Sequence, residues 1–118
     1  MNTRQIVTLM HKLHYGDVDT SDGYEHLMVD GKLELSKFER FVSRYINESN
    51  MVFYANSQLA GVGDIQDAFE FTRANMAENR IRLASNDFQA KIIIEPIGVG
   101  VGHLTSQSTQ TPTSGSGV

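Results

Sequence analysis

No cysteine occurs anywhere in these 118 residues. A disulfide framework, a thiolate metal site and a cysteine nucleophile are therefore excluded. Tryptophan is absent as well, and the two prolines, Pro96 and Pro112, both stand late in the chain. No apolar run approaches the roughly 18 residues that a membrane-spanning helix needs. The opening stretch MNTRQIVTLMHKLHYG has neither a long apolar segment nor a small-residue cleavage site. The expectation is a soluble protein with no membrane partner, cytoplasmic or assembled into a particle. An excess of positive charge is also lacking, with a formal net charge of -4 and a pI near 5.4. Clustered lysine and arginine dominate phosphate binding, so this balance argues against nucleic acid as a partner.

What is present is an ordinary globular composition, 40% hydrophobic and 20% charged, which fits one domain. Residues 1–102 carry the mixed apolar and charged patterning. From His103 the segment HLTSQSTQTPTSGSGV has no formally charged side chain. Such a stretch buries too little apolar surface to offset its ordering entropy, which predicts a flexible Ser/Thr/Gly arm over 103–118.

The chain is organised around residues 64–85. Ile65, Phe69, Thr72, Met76 and Leu83 recur at steps of three and four, predicting one long amphipathic helix with Asp64 as N-cap and Asp67 at N3. Before it, the Asn2/Gln5 capping pattern and the apolar Ile6, Val7, Met10 and Leu13 predict a helix over 3–14, closed by Gly16. Residues 24–35 read as a hairpin about Asp30-Gly31, the dipeptide of a type I′ turn, with Met28 opposite Leu33 and Val29 opposite Lys32. Ser36 and Glu39 form a capping-box pattern ahead of Phe38, Phe41, Val42, Tyr45 and Ile46, a short helix ending near Asn47. Met51 to Ala55 reads as a buried strand, and NSQLAGVG as a loop. Phe88 to Gly102 carries the strongest strand signal, interrupted by Pro96, which cannot donate to a ladder. The fold class is α+β, a small, largely antiparallel sheet with the long helix packed on it, two shorter helices and the C-terminal arm. The expected core is Met10, Leu13, Phe38, Phe41, Tyr45, Ile65, Phe69, Met76, Leu83, Ile92 and Ile94.

Patterns that could carry chemistry fall short of it. Gly61-Val62-Gly63 precedes a helix as phosphate loops do. Asp64 and Asp67, however, hold the helix N-terminus that an anion would need. Asp17, Asp19, Ser21, Asp22, Gly23 and Glu25 resemble a calcium loop in composition, but the required glycine falls one residue late and position 12 is Met28. His11 and His14, with Asp17, Asp19 or His26, could meet a divalent metal, at a spacing that is common on exposed helices. Tyr24, Glu25 and His26 could do acid-base work, yet no nucleophile and base pair is recognisable. No catalytic residue, cofactor or metal ligand is assigned.

The C-terminal strand gives the positive argument. Ile92 and Ile94 precede Ile97, Val99 and Val101, which alternate with Gly98, Gly100 and Gly102. An apolar strand with bare glycine on one face and an uncharged arm behind it invites pairing with another chain. Ile92, Ile94, Ile97, Gly98, Val99, Gly100 and Val101 are therefore the expected interaction residues; the competing reading makes Phe88 to Ile94 an internal strand of the chain's own sheet, ended by the glycines. The function expected is that of a non-enzymatic interaction or assembly protein, self-associating or docking on another subunit, with a phage or other particle component as the setting. The alternative is a small ligand- or metal-binding regulator using the aspartates and histidines between positions 11 and 26.

Overall fold

The computed structural model describes residues 2–14 and 23–104. The first helix, α1 (Thr3–Leu9), opens on the expected capping box. Asn2 Oδ1 accepts from the Gln5 N–H, and Gln5 Oε1 accepts from the Asn2 N–H, both at 2.9 Å. It runs on as a π-helical turn, Met10–His14. The expected closure at Gly16 and the acidic loop up to Asp22 lie outside the described residues.

The hairpin about Asp30-Gly31 forms in the expected register. Met28 pairs with Leu33 and Val29 with Lys32, joining β2 (Met28–Val29) to β3 (Lys32–Leu33). Asp30 and Gly31 both have positive φ, 53° and 78°, as a type I′ turn requires. Just before it lies β1 (Glu25–His26). The unbroken apolar run Leu27 to Val29 has a tertiary cause, since Leu27 is fully buried and its N–H donates to the Gly98 carbonyl at 2.9 Å.

Next comes α2 (Leu35–Ser43), and its cap differs from the expected Ser36/Glu39 box. Glu34 is the N-cap, its carboxylate accepting from the Ser36 and Lys37 N–H groups and from the Ser36 hydroxyl. β4 (Met51–Asn56) is buried along nearly its whole length because both of its faces are covered. Met51, Phe53 and Ala55 join a core with Phe38, Phe41 and Phe69, while Val52 and Tyr54 join Ile6 and Met10 of α1. Leu13, expected in the core, is 40% exposed.

Two expectations fail for tertiary reasons. NSQLAGVG is not a loop, since Leu59–Gly63 forms β5, hairpinned to β4 through Ser57 and Gln58. The long helix over 64–85 is also cut short. Its capping box forms as expected, but α3 covers only Ile65–Asn75, with Met76 as C-cap. The Asn79 side-chain amide donates to the Asn75 carbonyl, and the chain turns into β6 (Ile81–Ala84), all four residues of which are buried. Ile81 and Leu83 satisfy a helical stripe on paper. As the strand between β4 and β7 (Ala90–Ile94), β6 is hydrogen-bonded on both sides and buried on both faces, which outweighs a helix-propensity difference of tenths of a kcal/mol per residue.

The strand expected over 88–102 is two strands. β7 ends at Ile94, and β8 (Val99–Leu104) returns antiparallel, two residues past the boundary expected at Gly102. Pro96 stops the first strand. Gly98 N–H donates to the Glu95 carbonyl and Glu95 N–H to the Val99 carbonyl, both at 2.8 Å, and Gly98 has φ +89°. This is a three-residue hairpin loop, a turn followed by a left-handed glycine.

The sheet order is β1-β8-β7-β6-β4-β5, with every neighbouring pair antiparallel. The connection β5–α3–β6 crosses over β4, laying α3 beside α2 on one face of the sheet. Phe38 and Phe69 meet edge-to-face there with centroids 5.5 Å apart. α1 covers the other face at the β4/β5 end. Among the described residues no helix is long and apolar enough to cross a membrane. The α+β class, the antiparallel sheet and two of the shorter helices stand as expected; the long helix does not.

Candidate functional site

The residues expected to dock on another subunit divide between the inside and the outside of this chain. Ile92 and Ile94 point from β7 into the α2/α3 core and are fully buried, and Val101 is buried as well. The bare glycine face is occupied by α2 of the same chain. A Cβ on Gly100 would stand 2.7 Å from Phe41 Cε2, and one on Gly102 would stand 2.5 Å from Tyr45 Cε2. Gly98 is similarly closed, by Met28. The glycines let two aromatic side chains of a helix lie directly on strand backbone, a close approach that any side chain would prevent.

The outer side of β8 is partly completed from within the chain. Glu25 and His26 of β1 pair with Gly100 and Val99. The Glu25 carboxylate takes an ion pair from Arg44 at the end of α2, and Arg44 also lies over the Phe41 ring, 5.8 Å from its centroid. Left outside are Ile97, 78% exposed at the tip of the β7–β8 turn, the half-buried Val99, and the outer side of β8 from Val101 to Leu104. No strand lies beside that last stretch among the described residues. Tyr24, 58% exposed, and Pro96 adjoin Ile97 around a shallow apolar hollow also lined by the Arg80–Glu95 ion pair, whose Nε–Oε1 distance is 3.1 Å.

The opposite end of the sheet holds an edge that the sequence reading missed. β5 pairs with β4 on one side and with no strand on the other among the described residues. Its five residues, LAGVG, include no charge and no proline, the devices that ordinarily blunt an edge. Leu59 and Val62 are 40% and 39% exposed. Gly61 is bare because the Phe53 ring lies over it, and Gly63 because the Asp67 cap does. The signal was available: two apolar runs, MVFYA and LAGV, flank the short polar stretch Asn56-Ser57-Gln58, which is a hairpin pattern.

The chemical candidates sort as follows. The N–H groups at the start of α3 are engaged by its own Asp64/Asp67 capping box, so Gly61-Val62-Gly63 leads into an occupied helix end. His11 lies against Tyr54, with Nε2 and Oη 3.4 Å apart, while His26 is exposed on β1. The His14 side chain and Asp17, Asp19, Ser21 and Asp22 lie outside the described residues, and no group of three potential ligands is found among those described. Two carboxyls are held below their ordinary range by local turns. Glu34 is lowered by the Ser36 hydroxyl and by backbone N–H groups, and Asp87 by the Ser85 hydroxyl and the Gln89 N–H. Both serve as backbone caps. No family model, curated protein or solved structure matches this chain.

Proposed function

We propose that this chain is a non-enzymatic interaction or assembly protein that self-associates or docks on another protein subunit through an open sheet edge. The observation that carries the reading is β5, an uncharged, proline-free edge strand with Leu59 and Val62 turned outward. Exposed strand edges pair readily with other strands, and proteins that stay monomeric usually block them. The contrast within this sheet supports the reading. The β8 side is covered over Val99 and Gly100 by a short strand bearing Glu25 and His26, which leaves only Val101 to Leu104 without one, whereas β5 has no such cover over any of its five residues among the described residues. Ile97 with Tyr24 is a second docking surface, the part of the expected C-terminal site that remains outside the core. An assembly subunit, in a particle or in the cytoplasm, fits this combination.

The test is light scattering on the full chain across a concentration series, with a parallel run on a chain ending after Leu104. Association in the full chain supports the proposal. A monomer at every concentration up to about 1 mM, where a contact worth only about 4 kcal/mol would register, overturns self-association. Ending the chain at Ile97 would instead delete β8 and expose the aromatic rings that cover its glycines.

A further inference from the structure

We infer that the occupant of the β5 edge is the same edge of a second copy, paired antiparallel about a two-fold axis at Gly61. The inference rests on the self-association reading above and specifies its surface and geometry. A two-fold axis perpendicular to the sheet brings a strand against itself with reversed direction, and the contact closes as a dimer. Partners in an antiparallel ladder must both turn their N–H and C=O groups toward each other or both away. Only registers centred on a residue satisfy that. Centred on Gly61, all five residues of β5 are paired: Leu59 with Gly63, Ala60 with Val62, and Gly61 with itself. Centring on Ala60 or Val62 leaves three strand residues paired and pushes the polar turn or the start of α3 into the seam.

The side chains suit that register. On the α1 face each Val62 meets the small Ala60 of the other copy. On the α3 face each Leu59 meets Gly63 and the Asp67 side chain lying over it. Large stands against small at both of these pairs, and at the axis Gly61 meets only itself. Charge raises no objection either. The strand has none, Asp64 falls opposite Gln58, and the two Asp64 residues end up about 20 Å apart at about 3.4 Å of rise per residue. That exceeds the screening length of roughly 8 to 10 Å. The product is one continuous sheet through both copies, with α1 beside α1 and α3 beside α3 across the seam.

The experiment uses the full chain in sedimentation velocity, as wild type, V62K, V62E and an equimolar mixture of the two variants. Val62 and its copy lie diagonally across the axis, about 7 to 8 Å apart, so either variant sets like charges beside each other on one face of the seam. The expected result is a wild-type dimer, a dissociation constant raised at least about tenfold in each variant alone, and recovery in the mixture, where lysine meets glutamate. Amide exchange over residues 59–63 should slow as wild-type concentration rises. Leu59→Lys serves as the second edge variant if circular dichroism shows that V62K does not fold. A wild-type dimer untouched by either lysine, with exchange over 59–63 independent of concentration, overturns this inference while leaving self-association through another surface in place. A wild type that is monomeric throughout overturns both.

Discussion

Gly100→Ala tests whether the glycine face of β8 exists for this chain's own helix or for a partner. The added Cβ would stand 2.7 and 2.9 Å from Phe41 Cε2 and Cζ, and 3.2 Å from Leu27 Cδ1. Both neighbours are buried at 1% exposure or less, so ring and methyl can yield only toward the side chains packed around them. Overpacking of this kind costs about 1–3 kcal/mol. Working against it, replacing glycine by alanine stiffens the unfolded chain and returns about 0.4–1 kcal/mol. The steric effect wins, and a net loss of about 1–2 kcal/mol is expected, or roughly 5–10 °C in Tm for a domain of this size. In urea the midpoint should fall with the slope unchanged. Adding Phe41→Leu, which removes the crowding atoms, should make the double variant more stable than the sum of the two losses, with a coupling of about 0.5 kcal/mol or more. If Gly100→Ala is as stable as wild type or more so, the ring does not press on that backbone. The glycine face would then be free for another molecule after all.

Phe88 gives a second test, since it holds φ at +59° while its ring is buried with Ile6 and Met10. Phe88→Ala should lose about 3–5 kcal/mol, since alanine keeps the Cβ and with it the backbone strain. Phe88→Gly should be more stable than Phe88→Ala by about 1 kcal/mol, the reverse of the usual order, because only glycine adopts that backbone freely; thermal melts that rank alanine above glycine would refute this. Thr72 is fully buried on α3, and its hydroxyl has no hydrogen-bond partner among the described residues. Thr72→Val should therefore stabilise the fold by about 1 kcal/mol in chemical denaturation, and a loss would reveal a partner for that hydroxyl. Glu34 has its carboxyl lowered below the ordinary 4.5, first by the Ser36 hydroxyl and then by backbone N–H groups. A depressed folded-state pKa adds stability above the unfolded value and loses it as pH falls through the folded one. Denaturation midpoints taken from neutral pH downward should then drop below pH 4.5 in the wild type and drop less in Glu34→Gln; parallel curves would discount the cap.

Much of the local structure was legible because its causes are local. The Asn2/Gln5 and Asp64/Asp67 caps, the Asp30-Gly31 turn and the stripe Phe38, Phe41, Val42 are decided within a few residues by hydrogen-bond geometry and helical spacing. Apart from the α2 cap, where Glu34 takes the place expected of Ser36, the misread elements fall where a distant strand supplies the reason. Ile81 to Ala84 continues a helical stripe in sequence, and only β4 and β7 on either side make a strand of it. LAGVG is glycine-rich enough to pass for a loop, and β4 makes it an edge. The site was half visible in the same way. Ile97 falls among the expected interaction residues by its apolar alternation with glycine, and it does stand exposed. Ile92, Ile94 and the glycines looked unsatisfied only because α2, sixty residues earlier, cannot be seen from β8.

The sequence by itself determined the exclusion of thiol chemistry, the α+β class, the starts of α1 and α3 and the Asp30-Gly31 turn. Each of these follows from residue type or from contacts a few positions apart. Only the tertiary structure decided which strand ends the sheet and whether bare glycine backbone meets a partner or the chain's own aromatic rings. A strand edge is defined by what fails to pair with it, and pairing joins residues far apart in the chain, so no local pattern could have fixed it.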